Sequence, residues 1–152
     1  MYSKKFSLVI KRPIKNFKKV IVVDSDKSIS IRSFLLGSIC QGISSVQNVL
    51  ESDDVFSAIN CLRKLNIKIL YSGNKTYKIF GKGLGSYNTK NISELNFGNS
   101  GTLARLMIGI IATTPNINVK IFGDKSLNKR SMKKLITLMN EFGAEFFPKN
   151  KF

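Results

Sequence analysis

Two stretches of the chain place small polar residues directly ahead of an apolar helical pattern, with an arginine about one turn inside it. One is Gly98-Asn99-Ser100-Gly101-Thr102, followed by Arg105. Gly98 and Gly101 carry no Cβ, so backbone can come close to a ligand there. Asn99, Ser100 and Thr102 are helix-capping types with hydrogen-bonding side chains. The N–H groups and positive dipole end of the following helix favour an anion. Arg105 adds a planar fork suited to phosphate or carboxylate. The other stretch is Asp26-Lys27-Ser28-Ile29-Ser30 with Arg32, which has the same logic. The chemistry on offer is anion binding and polarisation. The alternative for either stretch alone is an ordinary capped helix after a turn. Two such starts in one short chain weigh against it.

Hydrophobic periodicity supplies the elements that must hold these residues. Phe6–Ile10 and Val20–Val23 read as strands, the second leading into the Asp26 stretch. Ser28–Cys40 reads as a mostly buried helix on Ile31, Phe34, Leu35, Ile39 and Cys40, with Gly42 as its stop. Ser44–Leu50 reads as a strand. Ser52-Asp53-Asp54 opens a second helix, with acidic residues where the dipole favours them. Ile67–Tyr71 and Thr76–Phe80 flank a turn and read as a hairpin, and Gly81–Asn91 as a loop. A third helix covers Ser100–Thr113 and stops at Pro115. Asn118–Phe122 reads as a strand, Asn128–Phe142 as a fourth helix and Ala144–Phe147 as the start of a strand. Helix–strand–helix–strand therefore occurs twice, with equivalent points about 73 to 77 positions apart. The expected class is α/β (α+β), built from packed repeat units.

Composition narrows the function classes. The 152 residues are enough for one domain with a core, and 43% hydrophobic content excludes a disordered tail. No apolar run approaches the roughly 20 residues that cross a bilayer. The basic start shows no signal-peptide core. A cytoplasmic protein without membrane partners is expected. Cys40 and Cys61 both sit in apolar helical patterns and read as buried thiols; histidine is absent. No metal site and no cofactor is expected. The net charge of +16 comes from 20 Lys and 5 Arg against 9 acidic residues, spread along the chain. Charge alone supports a basic nucleic-acid-binding module. No RNA or DNA motif is visible, however, and no specific nucleic-acid partner is expected.

A third stretch, Gly123-Asp124-Lys125-Ser126-Leu127 with Arg130, follows the other two. The set, in this order, closely resembles the 5-enolpyruvylshikimate-3-phosphate synthases (3-phosphoshikimate 1-carboxyvinyltransferases) of the enolpyruvyl transferase family. A related transferase acting on UDP-N-acetylglucosamine shares the fold, but Asp-Lys-Ser-Ile-Ser favours the shikimate enzyme. The resemblance covers nearly the whole chain and only an N-terminal portion of such an enzyme. It implies the inside-out-barrel fold of repeated βαβαββ units, here about 26–82 and 98–152. Residues 1–20 would belong to the other domain, and 21–152 to a partial substrate-binding domain.

The implied reaction transfers the enolpyruvyl group of phosphoenolpyruvate to shikimate 3-phosphate and releases phosphate, in chorismate and aromatic amino-acid biosynthesis. By motif position, Lys27 would be the catalytic cation beside phosphoenolpyruvate and near both substrates. Ser28 and Arg32 would hold shikimate 3-phosphate. Asn99 and Gly101 would line the phosphoenolpyruvate pocket, and Arg130 would clamp that substrate. Thr102 and Arg105 would support the loop. The inhibitor glyphosate fits where the family has the glycine matching Gly101, so Gly101→Ala should hinder its binding. Three positions depart from the family pattern: Asp24-Ser25 for Pro-Gly, Ile31 for His or Asn, and Ser131 for Pro. The family's acid/base carboxylates lie downstream, and no motif nominates Asp53, Asp54, Asp124 or Glu141 as a replacement. The chain alone is expected to be inactive: it reads as an excised fragment, a split or truncated gene product, or half of a pair that a second chain carrying the missing domain would complete. The alternative is a truncated, non-catalytic remnant.

Overall fold

The computed structural model describes residues 23–89 and 93–147, with positions 7, 9, 11, 12, 18, 20 and 21. Helix α1 (Lys27–Ile39) starts at Asp26, which is extended and whose carboxylate accepts from the Ile29 N–H at 2.7 Å. Ser30, Ile31, Phe34, Leu35, Gly37 and Ser38 recur at helical spacing and form its buried face. Ile29 and Leu36 are about 60% exposed (61% and 59%), so α1 is one-sided rather than mostly buried.

The chain turns from α1 directly into β1 (Gln41–Val46), where Gly42 takes φ 94°. Gly42 therefore lies inside the strand, and the strand begins earlier than Ser44. Helix α2 (Asp53–Lys64) begins where its acidic first turn placed it. Strands β2 (Lys68–Tyr71) and β3 (Tyr77–Lys82) form the expected antiparallel hairpin. Strand β3 also pairs antiparallel with β1, giving the sheet order β1-β3-β2. Gly81 packs on the end of α1; a Cβ there would land on the carbonyl oxygens of Gly37 and Cys40.

The second sheet holds β4 (Ser93–Asn96) and β5 (Val119–Phe122), paired in parallel across α3 (Gly101–Ala112). The periodicity missed β4, because four residues around the buried Leu95 leave no visible alternation. The predicted fourth helix is broken. Leu127–Lys129 is a 3-10 turn, Arg130 is extended, and α4 covers only Lys133–Glu141. Ala144–Phe147 is not a strand. Most of Phe6–Ile10 lies outside the described residues. Val20, Ile21 and Val23 are exposed and in no strand.

Helix α1 packs against α2, α3, β1 and β3, and one apolar cluster joins both sheets. Phe34, Leu62, Ile79, Leu95, Leu103 and Met107 are fully buried within it. Phe34 meets Tyr77 edge to face at 5.3 Å. Ser38 Oγ and Tyr87 Oη share a buried 2.6 Å hydrogen bond that ties the loop after β3 to α1.

The two thiols differ. Cys61 is buried, and its Sγ donates to the Asn96 carbonyl at 3.3 Å; burial pushes its pKa up to about 11. Cys40 is exposed, contrary to its apolar sequence context, because α1 ends before its side chain can turn inward. Thiolate is the reactive form. One thiol per chain is therefore expected to react with iodoacetamide at pH 8 in the folded protein, and two in denaturant. Peptide mass mapping should place the native adduct on Cys40; rapid native labelling of Cys61 would contradict this packing.

Candidate anion-binding site

Parallel pairing carries the carboxyl ends of β4 and β5 to one side, the place where open α/β sheets bind ligands. The loops leaving them are bonded to each other. Phe97 N–H donates to the Phe122 carbonyl at 2.8 Å, and Asp124 N–H to the Gly98 carbonyl at 2.9 Å. Gly98 takes φ 56°, which admits glycine without strain. A Cβ on Gly123 would meet the Gly98 carbonyl at 2.7 Å, so both glycines are needed for this approach. Asp124 Oδ1 accepts from Leu127 N–H at 2.7 Å, while Asn128 exchanges two hydrogen bonds with the Gly123 backbone. Asp124 is thus a turn cap, and the turn delivers Arg130.

Arg130 Nη2 donates to Asn99 Oδ1 at 2.6 Å. Arg105 Nη1 donates to the Gly101 carbonyl at 3.2 Å from the next turn of α3. A Cβ on Gly101 would lie 2.7 Å from Arg130 Nη1 and 2.9 Å from Arg105 Nη1. Two guanidinium groups therefore converge on the start of α3, an arrangement that an anion would neutralise. Ser100 Oγ caps this helix by accepting from Leu103 N–H at 3.3 Å.

The start of α1 faces the same space. Lys27 Nζ lies 2.8 Å from Asp54 Oδ2 on the first turn of α2. Lys27, Asp54, Asn99, Gly101, Thr102, Arg105 and Arg130 line a cleft of about 380 Å³. Three cations face one carboxylate there.

Four of the six predicted site residues, Lys27, Asn99, Gly101 and Arg130, are brought together. Ser28 (half-buried) and Arg32 (exposed) belong to the first turns of α1 but not to the cleft wall. Thr102 and Arg105, expected only to support the loop, form part of the wall. Asp54 was missed. Its only sequence signal was an acidic residue in a helix's first turn, which says nothing of a partner 27 positions earlier. At the α1 start the Asp26 carboxylate accepts the Ile29 N–H, as Ser100 accepts that of Leu103 at the α3 start. Lys27 is the residue of that turn that lines the cleft. Ser30 is structural: its hydroxyl donates to the Asp26 carbonyl at 2.8 Å and accepts from Leu50 N–H at 3.0 Å. Two departures from the family pattern have local roles. Ile31 is fully buried in the core, and Ser131 Oγ accepts from Lys133 N–H at 3.3 Å where α4 begins. Among the described residues, no cluster of metal-ligating side chains exists and no helix is long and apolar enough to cross a membrane.

Comparison with known proteins gives a consistent picture. Residues 11–152 match the family model described as EPSP synthase (3-phosphoshikimate 1-carboxyvinyltransferase). The chain is 42% identical over 132 residues to the 3-phosphoshikimate 1-carboxyvinyltransferase of Bacillus cytotoxicus, covering 86% of this chain and 30% of that protein. It is 37% identical over 139 residues to the enzyme of that name from Desulforamulus reducens, covering 91% of this chain and 32% of the other. The EPSP synthase from Acinetobacter baumannii superposes with a TM-score of 0.73 at 32% identity, covering 82% of this chain and 28% of that one. The chain thus spans about three-tenths of the length of these relatives (30% and 32%).

Proposed function

Because the chain belongs to the EPSP synthase family, we propose that its cleft forms part of the site for enolpyruvyl transfer from phosphoenolpyruvate to shikimate 3-phosphate. The observation that carries this reading is the convergence of Arg105, Arg130 and Lys27 on the Cβ-less start of α3. Phosphoenolpyruvate offers a carboxylate and a phosphate, and forked and point cations suit both. Arg130 clamps it against Asn99, Gly101 gives it room, and Lys27 lies beside its reacting end. Ser28 and Arg32, one step outside the wall on α1, meet shikimate 3-phosphate. These residues bind and polarise, while the proton-transfer groups come from the remaining part of the enzyme, on this or a partner chain. The setting is chorismate biosynthesis in the cytoplasm.

The test is a ¹⁵N NMR titration of this chain with phosphoenolpyruvate and, separately, shikimate 3-phosphate. Saturable shifts are expected at the amides of Lys27, Asn99, Gly101 and Thr102. Weak shifts scattered over the lysine-rich surface and lost together in 0.3 M salt would mean charge alone. Gly101→Ala sharpens the test. Alanine suits the first turn of a helix, but its Cβ would push both guanidinium groups aside. Phosphoenolpyruvate affinity is expected to fall about tenfold, with stability changed by less than about 1 kcal/mol. Undiminished affinity would remove Gly101 from the pocket.

A further inference from the structure

Asp54 has no place in the binding scheme above, yet it is the one carboxylate on a wall of three cations. Its side chain is 16% exposed, whereas that of Lys27 is 49% exposed. The carboxylate, on the first turn of α2, is therefore the enclosed partner, and the ammonium on its long side chain is the exposed one. The first turn of a helix is also where backbone dipoles favour a negative charge. The 2.8 Å contact restrains the long Lys27 side chain, which would otherwise sample many rotamers in water. A carboxylate at this place opposes any entering anion. Its presence costs affinity and gains a defined ammonium position.

We propose that Asp54 is a positioning residue: it fixes Lys27 at the cleft mouth and lowers the cleft's affinity for simple anions, so that ligand is held in one pose rather than merely tightly. This rests on the anion-site reading above and adds a residue that the sequence motifs do not nominate.

The first probe is inorganic phosphate, titrated into this chain and followed by ¹⁵N NMR. Asp54→Asn removes the charge while keeping size, and is expected to tighten phosphate binding about three- to tenfold. Asp53→Asn is the control. It removes an equal charge from the same helix turn but not from the cleft wall, and should change affinity less than twofold. Asp54→Glu keeps the charge and guards against misfolding of the first variant; it should stay within about twofold of the unaltered chain. The second readout uses a hybrid enzyme in which this chain replaces the segment it matches in the Bacillus cytotoxicus relative. There Asp54→Asn should lower kcat about tenfold or more while KM for phosphoenolpyruvate stays equal or falls. A residue that only supports the fold would raise KM and weaken phosphate binding. No saturable phosphate binding by the unaltered chain overturns the anion site and this inference together. Equal effects of Asp54→Asn and Asp53→Asn, or weaker binding in Asp54→Asn, overturn this inference alone.

Discussion

Gly81→Ala is expected to cost about 3 kcal/mol, near the top of the range for overpacking a core, and to lower the thermal midpoint by roughly 10 °C. The added methyl would meet the carbonyl oxygens of Gly37 and Cys40, not a flexible side-chain tip. Neither can step aside cheaply. The Cys40 carbonyl accepts from Gly83 N–H at 3.1 Å, and Gly37 is held in the last turn of α1. Relief requires parting β3 from α1, which uncovers Ile79 and Phe34, both fully buried. Gly42, opposite Gly81 in the ladder, is the informative comparison. A Cβ there meets nothing within 4 Å, but its φ of 94° is unfavourable for alanine. Gly42→Ala should therefore cost only about 1 to 2 kcal/mol. Urea and thermal unfolding followed by circular dichroism would rank the two. Equal midpoints would contradict the close approach of β3 to α1.

Arg130→Ala is expected to have the largest effect on binding. Removing it takes away a guanidinium that meets the ligand space and leaves Asn99 Oδ1 without its 2.6 Å donor. Losing hydrogen bonds to a charged group costs about 1.5 to 3 kcal/mol, roughly 10- to 150-fold in affinity for phosphoenolpyruvate. Arg130→Lys should recover only part of this, because an ammonium cannot serve Asn99 and a bidentate anion in one plane. Arg105→Ala should cost less, since Arg105 also spends a donor on the Gly101 carbonyl. The same NMR titration measures all three. An affinity for Arg130→Ala within twofold of the unaltered chain would exclude Arg130 from the clamp.

Much of this arrangement was legible in the sequence, for identifiable reasons. Helix α2 announced itself through Ser52-Asp53-Asp54 and a regular apolar spacing, and α3 through its capped start and Pro115. That Asn99, Gly101 and Arg130 share one wall was implied by the family resemblance and not by periodicity or spacing. What escaped was non-local. Strand β4 exists because Leu95 is buried and its backbone pairs with β5, neither of which four residues can signal. The break before α4 depends on Arg130 turning extended to reach Asn99, a tertiary demand that overrides helical periodicity. The Lys27–Asp54 contact joins two helix starts whose meeting is decided by the packing of α1 on α2. Exposure of Cys40 depends on one residue of helix length.

The parallel pairing of β4 with β5 also has a kinetic meaning. Its four residue pairs, from Ser93↔Val119 to Asn96↔Phe122, close only after the whole of α3 has been laid down between them. The β2–β3 hairpin closes over a few residues. Loop-closure entropy and contact order place local pairings first. Only the β2–β3 hairpin is local in this sense: β1 joins β3 across a longer stretch of chain than separates β4 from β5, so both of those pairings, and with the second the loops holding Asn99, Gly101 and Arg130, follow the hairpin. The loops at the cleft are tied by bonds at the end of a two-stranded sheet, whereas Ile79 is fully buried in the central strand of the other, so hydrogen exchange should be faster at Phe97 and Asp124 than at Ile79.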